Sequence, residues 1–239
     1  MSLLDNLISY WKLDEASGNA IDTHGTNTLT DNNTVGSAAG KINTARDFEQ
    51  SQSESFYTAS NASLETGDIG FTISFWVKHE TVQSIQFYVN KSGVATADRE
   101  FAAYYTTGQF AFFVYDSGNN IKQVLSGVSG STTNWQHVVA WHDPDANIIG
   151  IAVNNGTPAT ASHTTGVRVT NYEFELGARR AQNFFLDGLL DEVGFWKRVL
   201  TADERTALYN AGNGLSYDSF GGGGIIPILR QHYAAMGAR

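Results

Sequence analysis

Glu173 and Glu175 stand one residue apart, so on an extended strand their carboxyl groups share a face. Two carboxyl groups held across a glycosidic bond can hydrolyse it, one as acid and the other as base or nucleophile. On an outward-facing strand the same pair is only a solvated edge, which is the expectation for these two. Asp191 and Glu192 are adjacent, and on a regular strand adjacent side chains point to opposite faces, which denies them a joint role. Nucleophilic chemistry lacks its parts: there is no G-x-S-x-G elbow and no cysteine. His24, His79, His137, His142, His163 and His232 follow neither H-E-x-x-H nor a paired helical spacing. His137 shares a strand side with Trp135 and Val139 and is expected to be a hydrogen-bonded core histidine. The run Gly221 to Gly224 has no Lys-Ser/Thr after it and is a linker rather than a phosphate cradle.

The elements that must position any such groups are organised around Leu186 to Gly212. Leu190, Glu192, Gly194 and Trp196 alternate with Asp191, Val193 and Phe195, and both sets carry bulky apolar groups. A strand of that kind is covered on two faces, and its carboxylates need partners. The period then changes. Thr201 with Glu204 forms a capping box, Leu200, Leu208 and Tyr209 form an apolar stripe, and Gly212 is expected to end the helix in the left-handed conformation.

Further strands are expected at 47–48, 56–58, 71–79, 84–91, 100–106, 109–115, 121–125, 136–141, 148–154 and 172–177, separated by turn signals such as Thr107-Gly108 and Asn154-Asn155-Gly156. Residues 14 to 47 are rich in Gly, Asn, Thr and Asp, a long loop with one short strand near Asn27 to Leu29. Such a loop needs a tether. The spacing predicts an all-β, two-sheet antiparallel sandwich with one short helix near the C-terminus.

The segment G-x-L-D-E-V followed by an aromatic residue, a basic residue, a Leu and a Glu-bearing helix resembles the close of the concanavalin A-like, laminin-G-like jelly-roll domains of bacterial or phage type. LISYWKLDEASG at Leu7 to Gly18, with Asp22 and Gly25, resembles their first strand and Asp/Gly loop, and FTISFWVK and WQHVVAWHD resemble two central strands. The resemblance spans about residues 7 to 215. It implies that first and last strands are neighbours, bringing Trp11 and Trp196 to the core or its margin. It also implies an oxygen-rich Ca2+ site of Asp14, Asn19, Asp22 and Asp191; the alternative is Asx turns at Asp14 and Asp22 with Asp191 accepting backbone N–H groups.

Glycoside hydrolases built on related sandwiches alternate acids along a strand, but the residue three beyond Glu175 is Ala178, so no catalytic residue is expected. Sugar binding is the commonest non-catalytic role that the resemblance implies. Aromatic faces stack on sugar rings beside planar polar groups, and Tyr88, Asn90, Arg99, Tyr104, Tyr115, Trp141 and Arg179 are the candidates. The alternative is that these aromatics pack under loops or against another subunit.

A net charge of -9 argues against duplex DNA or an anionic membrane as main partner, and no run approaches membrane-spanning length. MSLLDNLISYW lacks the basic and apolar regions of a signal peptide. The expected organisation is one domain over residues 1–215 and a Gly-rich linker and docking tail over 216–239. In that tail Ile226, Leu229, Tyr233 and Met236 fall on one helical stripe beside Arg230. The expected role is a non-enzymatic structural or decoration component of a large assembly such as a phage virion, docked to its other proteins through the tail. A lectin or carbohydrate-binding module at a cell surface is the alternative.

Overall fold

The computed structural model describes residues 2–82 and 85–221. The strands are β1 Leu7–Trp11, β2 Thr30–Asn32, β3 Gly36–Ala39, β4 Thr44–Phe48, β5 Ser55–Thr58, β6 Phe71–His79, β7 Gln86–Ser92, β8 Arg99–Thr106 and β9 Gln109–Tyr115. There follow β10 Ile121–Leu125, β11 Gln136–Asp143, β12 Ile148–Val153, β13 Ala159–Ser162, β14 Phe174–Leu176, β15 Ala178–Arg179, β16 Phe184–Phe185, β17 Gly188–Trp196 and the helix α1 Ala202–Tyr209. One sheet runs β13-β12-β11-β6-β17-β4-β3 with β1 also paired to β17, the other runs β10-β9-β8-β7-β14-β5-β2, and β15 pairs β16. This is the jelly-roll sandwich that the sequence predicts.

The inner faces meet in a core that includes Trp11, Phe48, Phe71, Phe75, Phe101, Phe112, Phe174 and Phe195. β1 is antiparallel to β17, with Leu7 opposite Trp196 and Trp11 opposite Val193, so first and last strands are neighbours as expected. The two tryptophans lie on opposite faces of that sheet. Trp11 stacks on Phe174 at 5.3 Å in the inter-sheet core, and its indole N–H donates to the Asn27 carbonyl at 2.8 Å. Trp196 anchors a second cluster with Leu3, Leu7, Tyr10, Leu200, Leu208 and Phe220 on the outer side, where α1 packs.

Regular alternation fails at one place in β17. The register against β6 shifts between Asp191 and Gly194, and Glu192 has φ +51. This bulge moves the pattern by one, so Leu190 joins Val193 and Phe195 in the core instead of facing the side of Gly194 and Trp196. The capping box forms as expected: Thr201 Oγ1 accepts from Glu204 N at 3.3 Å and Glu204 Oε2 accepts from Thr201 N at 2.8 Å. The helix ends earlier than expected, at left-handed Asn210 (φ 47), because asparagine tolerates that conformation almost as well as glycine.

The short strand expected at Asn27 to Leu29 is displaced to β2, Leu29 forming only a bridge with Ala20. Edge strands β3 and β13, GSAA and ATAS, carry no bulky alternation that would announce them. The domain also runs past residue 215. Phe220 is buried, Tyr217 lies 5.1 Å from Tyr10, and Ser2 Oγ donates to the Phe220 carbonyl, so residues 216 to 220 belong to the folded body and not to a linker. The docking residues Ile226, Leu229, Arg230, Tyr233 and Met236 lie outside the described residues.

Deleting the indole of Trp11 leaves a cavity at the junction of both sheets and an unpaired Asn27 carbonyl. Trp11→Ala is expected to lower unfolding free energy by about 3–5 kcal/mol in urea titration; a loss below about 1 kcal/mol would contradict its place in the core.

Candidate functional site

Strands β7 to β10 alternate strongly, and both of their faces are built from large side chains. Tyr105, Phe110, Phe112 and Val114 point into the core, while Phe87, Tyr104, Phe113 and Tyr115 form a separate cluster on the outer face of the seven-stranded sheet. Phe87 and Tyr104 stack at 5.0 Å, and Phe113 meets Tyr104 and Tyr115 edge-on at 5.3 and 5.6 Å. The β15–β16 hairpin folds over one side, its Phe184 stacking on Phe87 at 5.9 Å. The rings are a floor rather than a projecting ledge, since only 8% of Tyr104 and 6% of Tyr115 is exposed.

Polar groups border this floor. Gln123, exposed on β10 opposite Phe113, donates to the Tyr104 hydroxyl, whose pKa burial pushes up to about 12. Arg99 lies over the Tyr115 ring at 5.6 Å and donates to its hydroxyl at 2.9 Å. Arg179 lies over Phe87 at 5.7 Å. Asn90, fully buried, donates to Glu175 Oε2 at 2.6 Å, and its own Oδ1 has no partner among the described residues.

Glu173 and Glu175 are not a solvated edge. Glu175 is 0% exposed, and Arg180 binds it at 2.9 Å through Nε while also pairing with Glu173. Burial raises the Glu175 pKa despite those two partners, because a carboxylate loses more hydration there than Arg180 and Asn90 restore.

Of the seven expected sugar-contacting residues, Asn90, Arg99, Tyr104, Tyr115 and Arg179 share this face. Tyr88 does not: it points into the core and its hydroxyl meets His79 Nε2 at 2.7 Å. Trp141 lies on the outer side of the other sheet with Val139 and Ala152, under the Arg205 guanidinium at 4.7 Å. The register shift between Phe87 and Val89 explains the misplacement of Tyr88, since it puts Phe87 outside. Phe87, Phe113, Phe184, Gln123 and Arg180 were not among the expected contacts; Phe113 and Gln123 had a usable signal, since adjacent Phe112 and Phe113 must face opposite ways and Gln123 stands opposite Phe113 in the hairpin register. His137 is buried and hydrogen-bonded as expected, Ser74 Oγ lying 2.8 Å from Nε2, but it packs against Trp76 and Tyr209 on the outer side of its sheet rather than in the inter-sheet core; burial lowers its pKa to about 3.

Each of the four side chains expected to hold calcium accepts hydrogen bonds from the backbone. Asp22 accepts from the backbone N–H groups of Tyr10, His24, Gly25 and Asn27 at 2.8–3.1 Å, an Asx-type arrangement. Asn19 Oδ1 accepts from Asp31 N at 3.0 Å, and Asp14 Oδ1 from Thr44 N at 3.2 Å. Asp191 Oδ2 accepts from Lys41 N and Ile42 N at 2.7 and 2.9 Å. The bulge places Glu192 beside Asp191, contrary to the opposite-faces expectation, and Tyr10 OH donates to Glu192 Oε2. Asp191 Oδ1 and Glu192 Oε1 are buried without partners among the described residues. Burial, with the charges of Glu192 and Asp14 adding, pushes Asp191 up to about 8; burial, with Asp14 adding and Tyr10 opposing, pushes Glu192 up to about 7.

A family model described as the concanavalin A-like lectin/glucanases superfamily matches residues 51–204. No curated protein matches the sequence. Among solved structures, the binding domain of Paraclostridial Mosquitocidal Protein 1 aligns with TM-score 0.71 and 17% identity over 88% of this chain and 53% of that one. The botulinum neurotoxin serotype G binding domain aligns with TM-score 0.66 and 14% identity over 87% and 51%. The chain thus spans about half the length of those toxin domains. Domain 4 of AbnA, a GH43 extracellular arabinanase from Geobacillus stearothermophilus, described in complex with arabinotriose, aligns with TM-score 0.64 and 17% identity over 88% of this chain and 98% of that one. At these identities the likeness establishes the fold.

The buried acids set a pH dependence. Both folded-state values lie above the ordinary carboxylate range, so the native chain holds protons that the unfolded chain releases. Their contribution to stability is complete below about pH 4, the usual value for carboxylates in unfolded chains, and is lost as pH rises through the folded-state values. Melting temperature is therefore expected to fall between pH 6 and pH 9, and Asp191→Asn to flatten that slope; a melting temperature that rises over this interval would contradict it.

Proposed function

This chain belongs to the concanavalin A-like lectin/glucanase superfamily, and from that premise we propose that it is a non-catalytic carbohydrate-binding domain. Its ligand lies on the outer face of the seven-stranded sheet. The observation that carries this reading is the composition of that face. An antiparallel sheet with one side toward the core ordinarily turns polar side chains outward, yet β7, β8 and β9 turn Phe87, Tyr104, Phe113 and Tyr115 outward, bordered by Arg99, Arg179 and Gln123. Apolar C–H faces of a sugar pack on such rings, while amides and guanidiniums hydrogen-bond its hydroxyls. The arabinanase domain, matched along nearly its whole length and described with an oligosaccharide bound, supports the same reading.

The carboxylates support a non-catalytic role. Arg180 engages both Glu173 and Glu175, which leaves that pair poorly suited to the proton transfers of glycoside hydrolysis. A glycan-reading face suits an extracellular or cell-surface setting, and equally the surface of a particle that attaches to cells. The tail expected to dock the chain to a virion lies outside the described residues, and no feature among the described residues favours that role.

A glycan array on the purified chain is expected to yield specific, saturable binding. Gln123→Ala, at an exposed position, is expected to weaken that binding about tenfold, the worth of about 1.4 kcal/mol, without changing the melt. An array on which no glycan binds would overturn the reading.

A further inference from the structure

Arg99 and Arg179 approach each other at one margin of the aromatic floor, and they are anchored in the same way. Arg179 donates through Nε to the Ser92 carbonyl at 3.1 Å and through Nη2 to the Gly93 carbonyl; Arg99 donates through Nη2 to the Val94 carbonyl at 2.8 Å. Three successive carbonyls thus hold two guanidiniums. The turn that presents them needs Gly93, because a Cβ there would lie 2.7 Å from both the Tyr172 ring and Asp98.

Neither arginine forms an ion pair among the described residues, in a chain where acids outnumber bases 24 to 15. Glu175, the nearby buried carboxylate, is occupied by Asn90 and Arg180. Burial and then the Arg99 charge both bear against the charged form of Arg179. Arg179 is only 6% exposed, and among the described residues Arg99 Nε is buried without a partner and Arg179 Nη1 makes no hydrogen bond. Two like charges held together in a partly buried site gain from an anion that joins them. Guanidinium forks match a planar carboxylate, and the adjoining Phe87 and Tyr115 rings offer the sugar that carries it a surface.

We propose that Arg99 and Arg179 form an anion subsite of this face, and that the preferred ligand is a sugar bearing a carboxylate, a uronic or sialic acid residue. This rests on the carbohydrate-binding reading of the same face. The test is calorimetric titration of the full chain with oligosaccharides terminating in glucuronic acid or in glucose, and with sodium sulfate, at low and high salt. The acidic sugar is expected to bind about tenfold or more tightly than the neutral one, and the advantage to shrink as salt rises. Arg99→Gln is expected to erase that advantage, weakening the acidic sugar more than the neutral one with the melt unchanged; Arg99→Lys is expected to restore part of it. Equal binding of both sugars, unaltered by Arg99→Gln, would overturn the anion subsite and leave the carbohydrate reading standing. Sulfate binding as tightly as the acidic sugar would overturn the sugar-acid assignment. Silence toward both sugars would overturn the inference and the carbohydrate reading together.

Discussion

β17 is hydrogen-bonded to β6 along one edge and to β4 and then β1 along the other, and all nine of its residues are buried. Two of those nine are carboxylic acids, whose burial pushes both above the ordinary carboxylate range. The bulge at Asp191 and Glu192 is the geometric answer. It turns both acids away from the inter-sheet core, where Leu190, Val193 and Phe195 remain, and aims them at Tyr10 on β1 and the N–H groups of Lys41 and Ile42 before β4. The acids thereby fasten the two strands that share one edge of β17.

The loop between β1 and β4 is held by the same economy. Fully buried Arg46 donates to the carbonyls of Gly18, Val35 and Gly36, and Asp22 gathers four backbone N–H groups, so one cation and one anion fasten a long polar stretch from opposite ends. Backbone dipoles surround both charges, and Arg46 Nη2 also pairs with Asp31 at 3.6 Å. On the other sheet, Lys91 and Glu100 pair without solvent exposure at 2.6 Å, with Thr66 and Thr170 completing the network. Buried pairs of this sort bring little net stability, but removing one member strands the other.

With the core and its polar ties on the inner face and edges, the outer face of the seven-stranded sheet is released from structural duty. Its aromatic cluster is covered over Phe87 by Phe184 and Arg179 of the β15–β16 hairpin, while Gln123 and Arg99 stand beside Tyr104 and Tyr115. The floor supplies rigidity. Its polar rim supplies the groups that tell one ligand from another.

Residue order alone determined the architecture: alternation in 71–79, 109–115 and 121–125, the Thr201–Glu204 box and the flanking motifs predict strands and helix close to those observed. These signals are local, set by a period of two or by a cap within one turn, and packing only ratified them. Facing was decided by tertiary structure wherever a bulge intervened. One extra residue near Tyr88 and another at Glu192 each moved a set of side chains to the other face, and no local pattern in either strand announces the insertion, because a bulge is fixed by the partner strand's register. The site was half legible for the same reason. Asn90, Arg99, Tyr104, Tyr115 and Arg179 could be chosen by residue type, but the exclusion of Tyr88 and Trp141, and the partners that occupy Asp22 and Glu175, arise from contacts between residues far apart in the chain, which only the folded chain brings together.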